Sequence, residues 1–153
     1  MSAFTAKSEL KNIPMKLPSR LLCAAGGLLA AILLTTTSSA AQKKLLVVTA
    51  TQGFRHSSIP LAEKVLAGLG DQSGVFTVEY ARGGADGKGT EDIKEKLSPE
   101  ALKNYDGVIF ANTTGDLPLP DKEAFIKWIQ SGKAFIGLHS ATDTFHGYPE
   151  FIE

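Results

Sequence analysis

The sequence predicts an α/β protein built on an open, parallel β-sheet. Four short apolar runs recur along residues 43–153, and most of them are continuous, as in strands that are buried on both faces. Helical patterns lie between the runs, and the connections are short. This order favours right-handed crossovers between parallel strands. The predicted strands are residues 45–49, 75–80, 107–111 and 134–138.

The first predicted helix follows the first strand. Ser57 or Ser58 serves as its N-cap, and Pro60 lies in its first turn. Gly70 is its expected end. Its apolar residues, at the spacing i, i+4 and i+8 that is typical of one helix face, are Leu61, Val65 and Leu69.

Two further helices are predicted from capping residues and spacing. A short one opens at Ser98-Pro99-Glu100 and ends at Lys103. The other covers residues 121–131, with Gly132 as its terminator. The apolar face of this helix consists of Phe125, Trp128 and Ile129.

A glycine-rich stretch, residues 82–89, follows the second strand. It does not fit a phosphate-binding P-loop, because Arg82 stands where the first glycine belongs. In addition, Gly89 stands where Ser or Thr must bind magnesium. We interpret this stretch as a mobile surface loop.

The first 41 residues have the order of a secretory signal peptide. Basic residues in 1–20 precede an uncharged apolar run, residues 21–34, and small residues follow up to Ala41. Cleavage is expected before Gln42, or one residue earlier, so we expect the protein to be periplasmic or secreted. The apolar run is shorter than the ~20 residues that span a bilayer. The alternative is an uncleaved anchor, which is the only membrane contact that we expect, and Met15 is an alternative start.

The composition of the predicted mature chain excludes several classes of function. The only cysteine of the full sequence, Cys23, lies in the signal segment, so the mature chain has none. A thiol nucleophile, a disulfide framework and a Cys-based zinc site are therefore excluded. Residues 42–153 hold 12 basic against 15 acidic groups. A net charge of −3 indicates no nucleic-acid partner.

The end of the chain resembles the start of another helix. Residues 148–153 open with a helix-start pattern that ends before it can bury an apolar face. Four strands also leave a sheet edge without a cover. We therefore expect a fold that is incomplete at the C-terminus.

Polar residues gather directly after three of the predicted strands. In a parallel α/β sheet the carboxyl ends of the strands meet at one edge, and ligands bind in the crevice outside that edge. All three histidines of the chain fall there, which is the main functional signal in the sequence. The residues are Thr49, Thr51, Arg55, His56, Ser57 and Ser58 after the first strand; Asn112, Thr113, Thr114 and Asp116 after the third; and His139, Ser140, Thr142, Asp143 and His146 after the fourth.

The segment 137–141 has the pattern of a sharp strand-to-helix turn. Hydrolases place a nucleophile at such a turn, between small residues, but here the position holds His139. Histidine there acts as a general base or a ligand rather than as a hydroxyl or thiol nucleophile. Two alternatives remain open: Ser140 as a nucleophile with His56 as its base, and a purely structural His139.

Two other kinds of interaction are open at the same edge. His139, Asp143 and His146 have the spacing i, i+4, i+7, which on an α-helix would place three metal ligands on one face. We assign no metal and no cofactor, and we keep this triad as an alternative. Phe54, Phe145 and Tyr148 are candidates either for stacking on a sugar ring or for the core.

Three motifs resemble a known family. These are residues 51–56 (TQGFRH), 112–116 (NTTGD) and 137–145 (GLHSATDTF), which resemble the ThuA-like (trehalose utilisation) domain. The resemblance covers residues 43–153 and implies a flavodoxin-like fold of the class I glutamine amidotransferase type. It also implies a small-molecule sugar or keto-sugar as ligand, and companion sugar-degrading modules. Family members lack the amidotransferase cysteine, and His139 stands near its place, so glutaminase activity is not expected.

We therefore predict a signal peptide over residues 1–41 and a ThuA-like domain over 43–153 that binds or processes a sugar. The alternatives are a non-catalytic carbohydrate-binding module, a metal-dependent hydrolase and an inactive fragment. The candidate catalytic residues are His56, His139 and Asp143. The candidate substrate-binding residues are Ser57, Asn112, Thr114, Ser140 and Phe145.

Overall fold

The computed structural model describes residues 41–152, which contain a four-stranded, all-parallel sheet. The strand order is β2-β1-β3-β4, the order of the first four strands of a flavodoxin-like fold. The predicted fold class is thus confirmed, whereas the predicted signal peptide lies outside the described residues except for Ala41. The strands are β1 (Lys43–Val48), β2 (Phe76–Ala81), β3 (Gly107–Ala111) and β4 (Ala134–Leu138).

Two strands differ slightly from their predicted bounds. β1 begins two residues earlier than the apolar run, because Lys43 and Lys44 pair through their backbones with Phe76 and Thr77 while their side chains remain exposed. β2 is displaced by one residue towards the C-terminus. The apolar pattern marks the buried part of a strand, whereas the ladder extends as far as the neighbouring backbone does.

Within residues 41–152, five α-helices and one 3₁₀ helix surround the sheet. The short α2 was not predicted from the sequence. The elements are α1 (Ile59–Ser73), α2 (Glu91–Lys96), α3 (Pro99–Leu102), α4 (Lys122–Gln130), the 3₁₀ helix (His139–Asp143) and α5 (Pro149–Ile152). Within the described part of the chain, no helix has the length and apolar character needed to cross a membrane.

The prediction for the end of α1 is wrong. The helix continues past Gly70 to Ser73 and ends at Gly74, which adopts the left-handed conformation with φ +65°. Gly70 instead permits close packing on the sheet, because a Cβ there would lie 2.9 Å from the Phe76 carbonyl oxygen. The apolar residues at i, i+4 and i+8 are exposed; they are Leu61, Val65 and Leu69.

The larger core lies on the sheet face covered by α2, α3, α4 and α5, which we call the α4 face. Phe110 of β3 is at its centre and contacts the rings of Phe125, Phe135 and Phe145. The other fully buried apolar residues of this core include Leu46, Val48, Ile93, Leu97, Leu102, Val108 and Leu117.

The opposite face carries α1, and we call it the α1 face. Its buried cluster consists of Val47, Ile109 and Ala111. Leu66 of α1 packs against this cluster. Ile136 of β4 lies in register with Ile109 on the same face, yet 41% of its surface is exposed. The helical cover of this face is therefore smaller than that of the α4 face.

The glycine-rich loop after β2 packs against the rest of the protein. The backbone N–H of Thr51 donates to the Gly87 carbonyl at 2.8 Å, and the Gln52 side chain donates to the Lys88 carbonyl at 3.1 Å. The Arg55 side chain packs directly on Gly87, since a Cβ there would lie 2.3 Å from its Nη1. The loop predicted to be mobile is therefore hydrogen-bonded to the loop that follows β1.

Candidate functional site

Two histidines from different loops meet at the carboxyl edge of the sheet. His56 follows β1 and His139 follows β4, and their ring centroids lie 4.6 Å apart at an interplanar angle of 79°. His139 is exposed and His56 is half-buried, so both imidazoles can reach a ligand. Sequence reasoning placed both residues in one crevice, and the structure brings their rings into contact.

His139 has a strained backbone conformation. Its φ is +55°, in the left-handed region that non-glycine residues rarely adopt. Such residues cost about 1–3 kcal/mol and cluster at functional sites. Asn112 and Phe145 have φ values of +60° and +62°, so all three non-glycine residues with positive φ in residues 41–152 follow β3 or β4.

The loops after β1 and β3 are joined by a threonine clasp. The hydroxyls of Thr51 and Thr114 form a hydrogen bond with each other, and the Thr114 hydroxyl also donates to the Phe54 carbonyl at 3.0 Å. Gly53 is required here, because a Cβ at this position would lie 2.7 Å from the Thr114 Oγ1. Thr114 is buried, and its hydroxyl positions the loop through its bonds to Thr51 and Phe54. Its role in substrate binding stays a prediction.

Asn112 connects the end of β3 to the start of α1. Its side-chain amide donates to the Ser58 hydroxyl at 2.7 Å, and only 4% of its surface is exposed. Next to it, Thr113 and Thr144 share a hydrogen bond of 2.8 Å. These contacts hold the loops that carry His56 and His139 in fixed relative positions.

Glu63 of α1 fastens the helix to the sheet beside the crevice. Its carboxylate accepts hydrogen bonds from the Thr49 hydroxyl at 2.7 Å and from Arg82 Nε at 2.8 Å, and the Tyr80 hydroxyl donates to its carbonyl. Burial raises the pKa of Glu63, but the bonds from Arg82 and Thr49 outweigh it and lower the pKa below its ordinary value of 4.5. The same hydrogen bond raises the pKa of Arg82.

Sequence reasoning missed Glu63, although a signal was present. Glu63 lies four residues after Ile59 and three before Leu66, both of which face the sheet. A carboxylate on the sheet-facing side of a helix requires polar partners, because burying it unpaired is costly. That requirement indicates a hydrogen-bonded cluster at the sheet edge.

The proposed metal triad is not assembled. Asp143 pairs with His146 at 3.1 Å, and both side chains are exposed. Residues 139–143 form a 3₁₀ helix with three residues per turn, so the α-helical spacing that would align His139 with these two residues does not apply. Among residues 41–152, no group of three or more His, Cys, Asp or Glu side chains is arranged to hold a metal ion.

A comparison with known protein families tests the family resemblance that the three sequence motifs indicate. The ThuA family, described as "Trehalose utilisation", matches residues 44–152. The chain belongs to the ThuA family. This membership indicates a role in trehalose utilisation. No curated protein and no solved structure gave a significant match.

Two residues predicted at the site of this ThuA-family chain, Phe145 and Ser140, differ from expectation. Phe145 lies in the core, and Ser140 lacks the hydrogen-bond partner of a nucleophile. Phe145 is fully buried on the α4 face, where it contacts Phe110 and Phe151, so it offers no surface to a substrate. The Ser140 hydroxyl is buried without a hydrogen-bond partner. It therefore makes no hydrogen bond to His56, as a serine nucleophile with a histidine base would.

Ser57 remains available to a ligand. It is exposed next to His56, directly before the first turn of α1. The ThuA-family crevice thus combines a rigid base, built from the threonine clasp and Asn112, with accessible polar groups on Ser57, His56 and His139.

Proposed function

We propose that the chain binds or processes a sugar of the trehalose class in the crevice at the carboxyl ends of β1, β3 and β4. The observation that carries this proposal is the contact between His56 and His139, with ring centroids 4.6 Å apart. ThuA-family membership, described as trehalose utilisation, supports a sugar as the class of ligand. The hydroxyls of a sugar are suitable partners for imidazole nitrogens, which both donate and accept hydrogen bonds.

The two histidines are proposed as acid–base or substrate-orienting groups. Imidazole exchanges protons near neutral pH and is the side chain most often used for general acid–base catalysis. The backbone strain at His139 supports a functional role, because the surrounding structure must stabilise a conformation that an ordinary side chain avoids. Asp143, which pairs with His146 instead, is not needed in this proposal.

The proposal is tested by calorimetric titration of the full chain with trehalose and its 3-keto derivative. We expect binding, and we expect His56→Gln and His139→Gln each to weaken it by about tenfold, equivalent to the loss of one good hydrogen bond. His146→Gln is the matched control, because His146 lies near the crevice but pairs with Asp143. Equal affinity in all three variants would contradict the proposed site.

Turnover distinguishes an enzyme from a binding module that uses the same crevice. Sugar products released by the wild-type chain, and lost in the His139→Gln variant, support acid–base catalysis. Binding that yields no product supports the non-catalytic alternative.

We also propose that the protein is exported. The basic, apolar and small-residue order of residues 1–41 supports export. N-terminal sequencing of protein from the extracellular or periplasmic fraction should begin at Gln42 or one residue earlier, and an intact N-terminus on cytoplasmic protein would contradict it.

A further inference from the structure

Phe54 is an exposed aromatic side chain in the loop after β1, and its ring contacts that of His56. Its relative exposure is 70%, and it is the only Phe or Trp in the exposed class within residues 41–152. The other large apolar side chains in that class are aliphatic. Large aromatic rings ordinarily bury most of their surface on folding. An exposed ring next to the two histidines is therefore a candidate for contact with a ligand.

The backbone around Phe54 is fixed by hydrogen bonds, although its ring is largely exposed. Its carbonyl oxygen accepts a hydrogen bond from the Thr114 hydroxyl at 3.0 Å, and that hydroxyl is in turn bonded to the Thr51 hydroxyl. The adjacent Gly53 N–H donates to the Thr114 carbonyl at 3.2 Å. The threonine clasp therefore presents the ring from a fixed position, which lowers the entropy cost of binding a ligand.

The ring of Phe54 continues the row formed by the two histidines. Its centroid lies 4.9 Å from that of His56 at an interplanar angle of 83°, and His56 contacts His139 in a similar edge-to-face manner. Phe54 and His56 therefore form a corner with an apolar aromatic wall and a polar imidazole wall. Because Phe54 is 70% exposed, most of its surface is open to a ligand.

We propose that Phe54 is the platform on which the sugar ring lies, so that the site selects cyclic sugars over open-chain polyols. A pyranose has faces made of C–H bonds, which pack on an aromatic π-face, and hydroxyls at its edge. A sugar stacked on Phe54 directs edge hydroxyls towards His56 and His139. This inference rests on the proposed function and adds a specificity-determining residue to it.

The test measures the affinity of the full chain for three probes: trehalose, methyl glucoside and sorbitol. Sorbitol keeps the carbon configuration of glucose but is open-chain, so it has no ring face. We expect wild-type protein to bind the two cyclic sugars at least tenfold more tightly than sorbitol. Phe54→Ala should weaken binding of the cyclic sugars by about tenfold and bring their affinity close to that of sorbitol.

Two further variants make the result specific. Phe54→Trp keeps an aromatic face and should retain the affinity for cyclic sugars. Val75→Ala removes an exposed apolar side chain, 62% exposed, just before β2 at the opposite end of the sheet, and should leave all affinities unchanged. Because Phe54 is exposed, the variants should unfold at the temperature of the wild type, which circular dichroism verifies.

The outcomes separate this inference from the proposed function. Wild-type protein that binds cyclic sugars with an affinity unaffected by Phe54→Ala would overturn the platform and leave the proposed function standing. Equal affinity for sorbitol and methyl glucoside would also overturn the platform. Wild-type protein that binds none of the probes would overturn both.

Discussion

The two faces of the sheet are stabilised in different ways. On the α4 face, four helices enclose a core in which Phe110, Phe125 and Phe145 are fully buried. The α1 face buries Val47, Ile109 and Ala111 and leaves Ile136 of β4 41% exposed. The same strands contribute alternate residues to both faces. The α4 face receives the larger side chains, Phe110 and Phe135, and is covered by more helices.

Polar contacts on the α1 face supplement its small apolar cluster. Glu63 bonds to Thr49 and Arg82, and the Tyr80 hydroxyl bonds to the Glu63 carbonyl. These contacts fasten α1 at the end of β1, directly beside the crevice. Burial of apolar side chains therefore stabilises the α4 face, whereas hydrogen bonds and one ion pair position α1 next to the site.

The largest contrast is expected from the same leucine-to-alanine change on each face. Leu102→Ala, in the α4 core, should lower the free energy of unfolding by about 2–5 kcal/mol because it leaves a cavity. Leu66→Ala, on α1, should lower it by less than Leu102→Ala, because Leu66 is only partly buried against the smaller cluster of the α1 face. Urea unfolding followed by Trp128 fluorescence measures both. Equal losses would show that the two faces are equally well packed.

The second prediction concerns the polar attachment of α1. Glu63→Gln should lower the free energy of unfolding at pH 7 by about 1.5 kcal/mol, because Arg82 loses its ion pair and Thr49 its charged acceptor. The loss stays small because Arg82 is half-exposed to solvent. The loss should depend on pH. Since folding lowers the Glu63 pKa, its contribution is complete above the unfolded value near 4.5 and disappears as the pH falls through the folded value.

The measurement is urea unfolding of wild-type and Glu63→Gln protein between pH 3 and pH 7. The difference between the two should be constant in the neutral range and shrink in acid. Glu100→Gln is the matched control, because its carboxylate pairs with Lys103 in an exposed i, i+3 arrangement. A difference that does not change with pH would contradict a stabilising charge on Glu63.

The apolar pattern of the strands was enough to predict β3 and β4 residue for residue. Gly107–Ala111 is buried along its whole length, so its apolar run coincides with its backbone ladder. The pattern could not show which side of α1 faces the sheet. Ile59 and Leu66 lie on one side and Leu61 and Val65 on another, and only the packing of the helix distinguishes the two.

The sequence was enough to predict which edge of the sheet carries the site, but not which side chains contact one another there. Parallel topology places the loops after β1, β3 and β4 together, which is why His56 and His139 were both found. Phe145 was assigned to the crevice because of its position after β4, yet its positive φ turns the chain so that the ring enters the core. Such a turn depends on tertiary contacts that a single sequence does not display.

A smaller effect is expected from the N-cap of α4, the main helix of the better-packed face. Asp121 accepts a hydrogen bond from the Ala124 N–H at 2.8 Å. Asp121→Ala should therefore lower the free energy of unfolding by about 1 kcal/mol, measured in urea. Asp121→Asn is the control and should restore most of the loss, because Asn caps a helix nearly as well as Asp. If Asn were as damaging as Ala, the side-chain cap would not be the cause.

The smallest change in stability is expected at His139, the residue that directly follows β4. Glycine adopts a φ of +55° without strain, so His139→Gly removes a cost that offsets the lost contact with His56. The free energy of unfolding should change by less than about 0.5 kcal/mol, while binding of trehalose should weaken by about tenfold, as in His139→Gln. Gln72→Gly, in the exposed part of α1, is the control and should cost about 0.5–1 kcal/mol. A loss above 1 kcal/mol at His139 would instead show that its side chain contributes to folding, and the strain would then carry no argument for function.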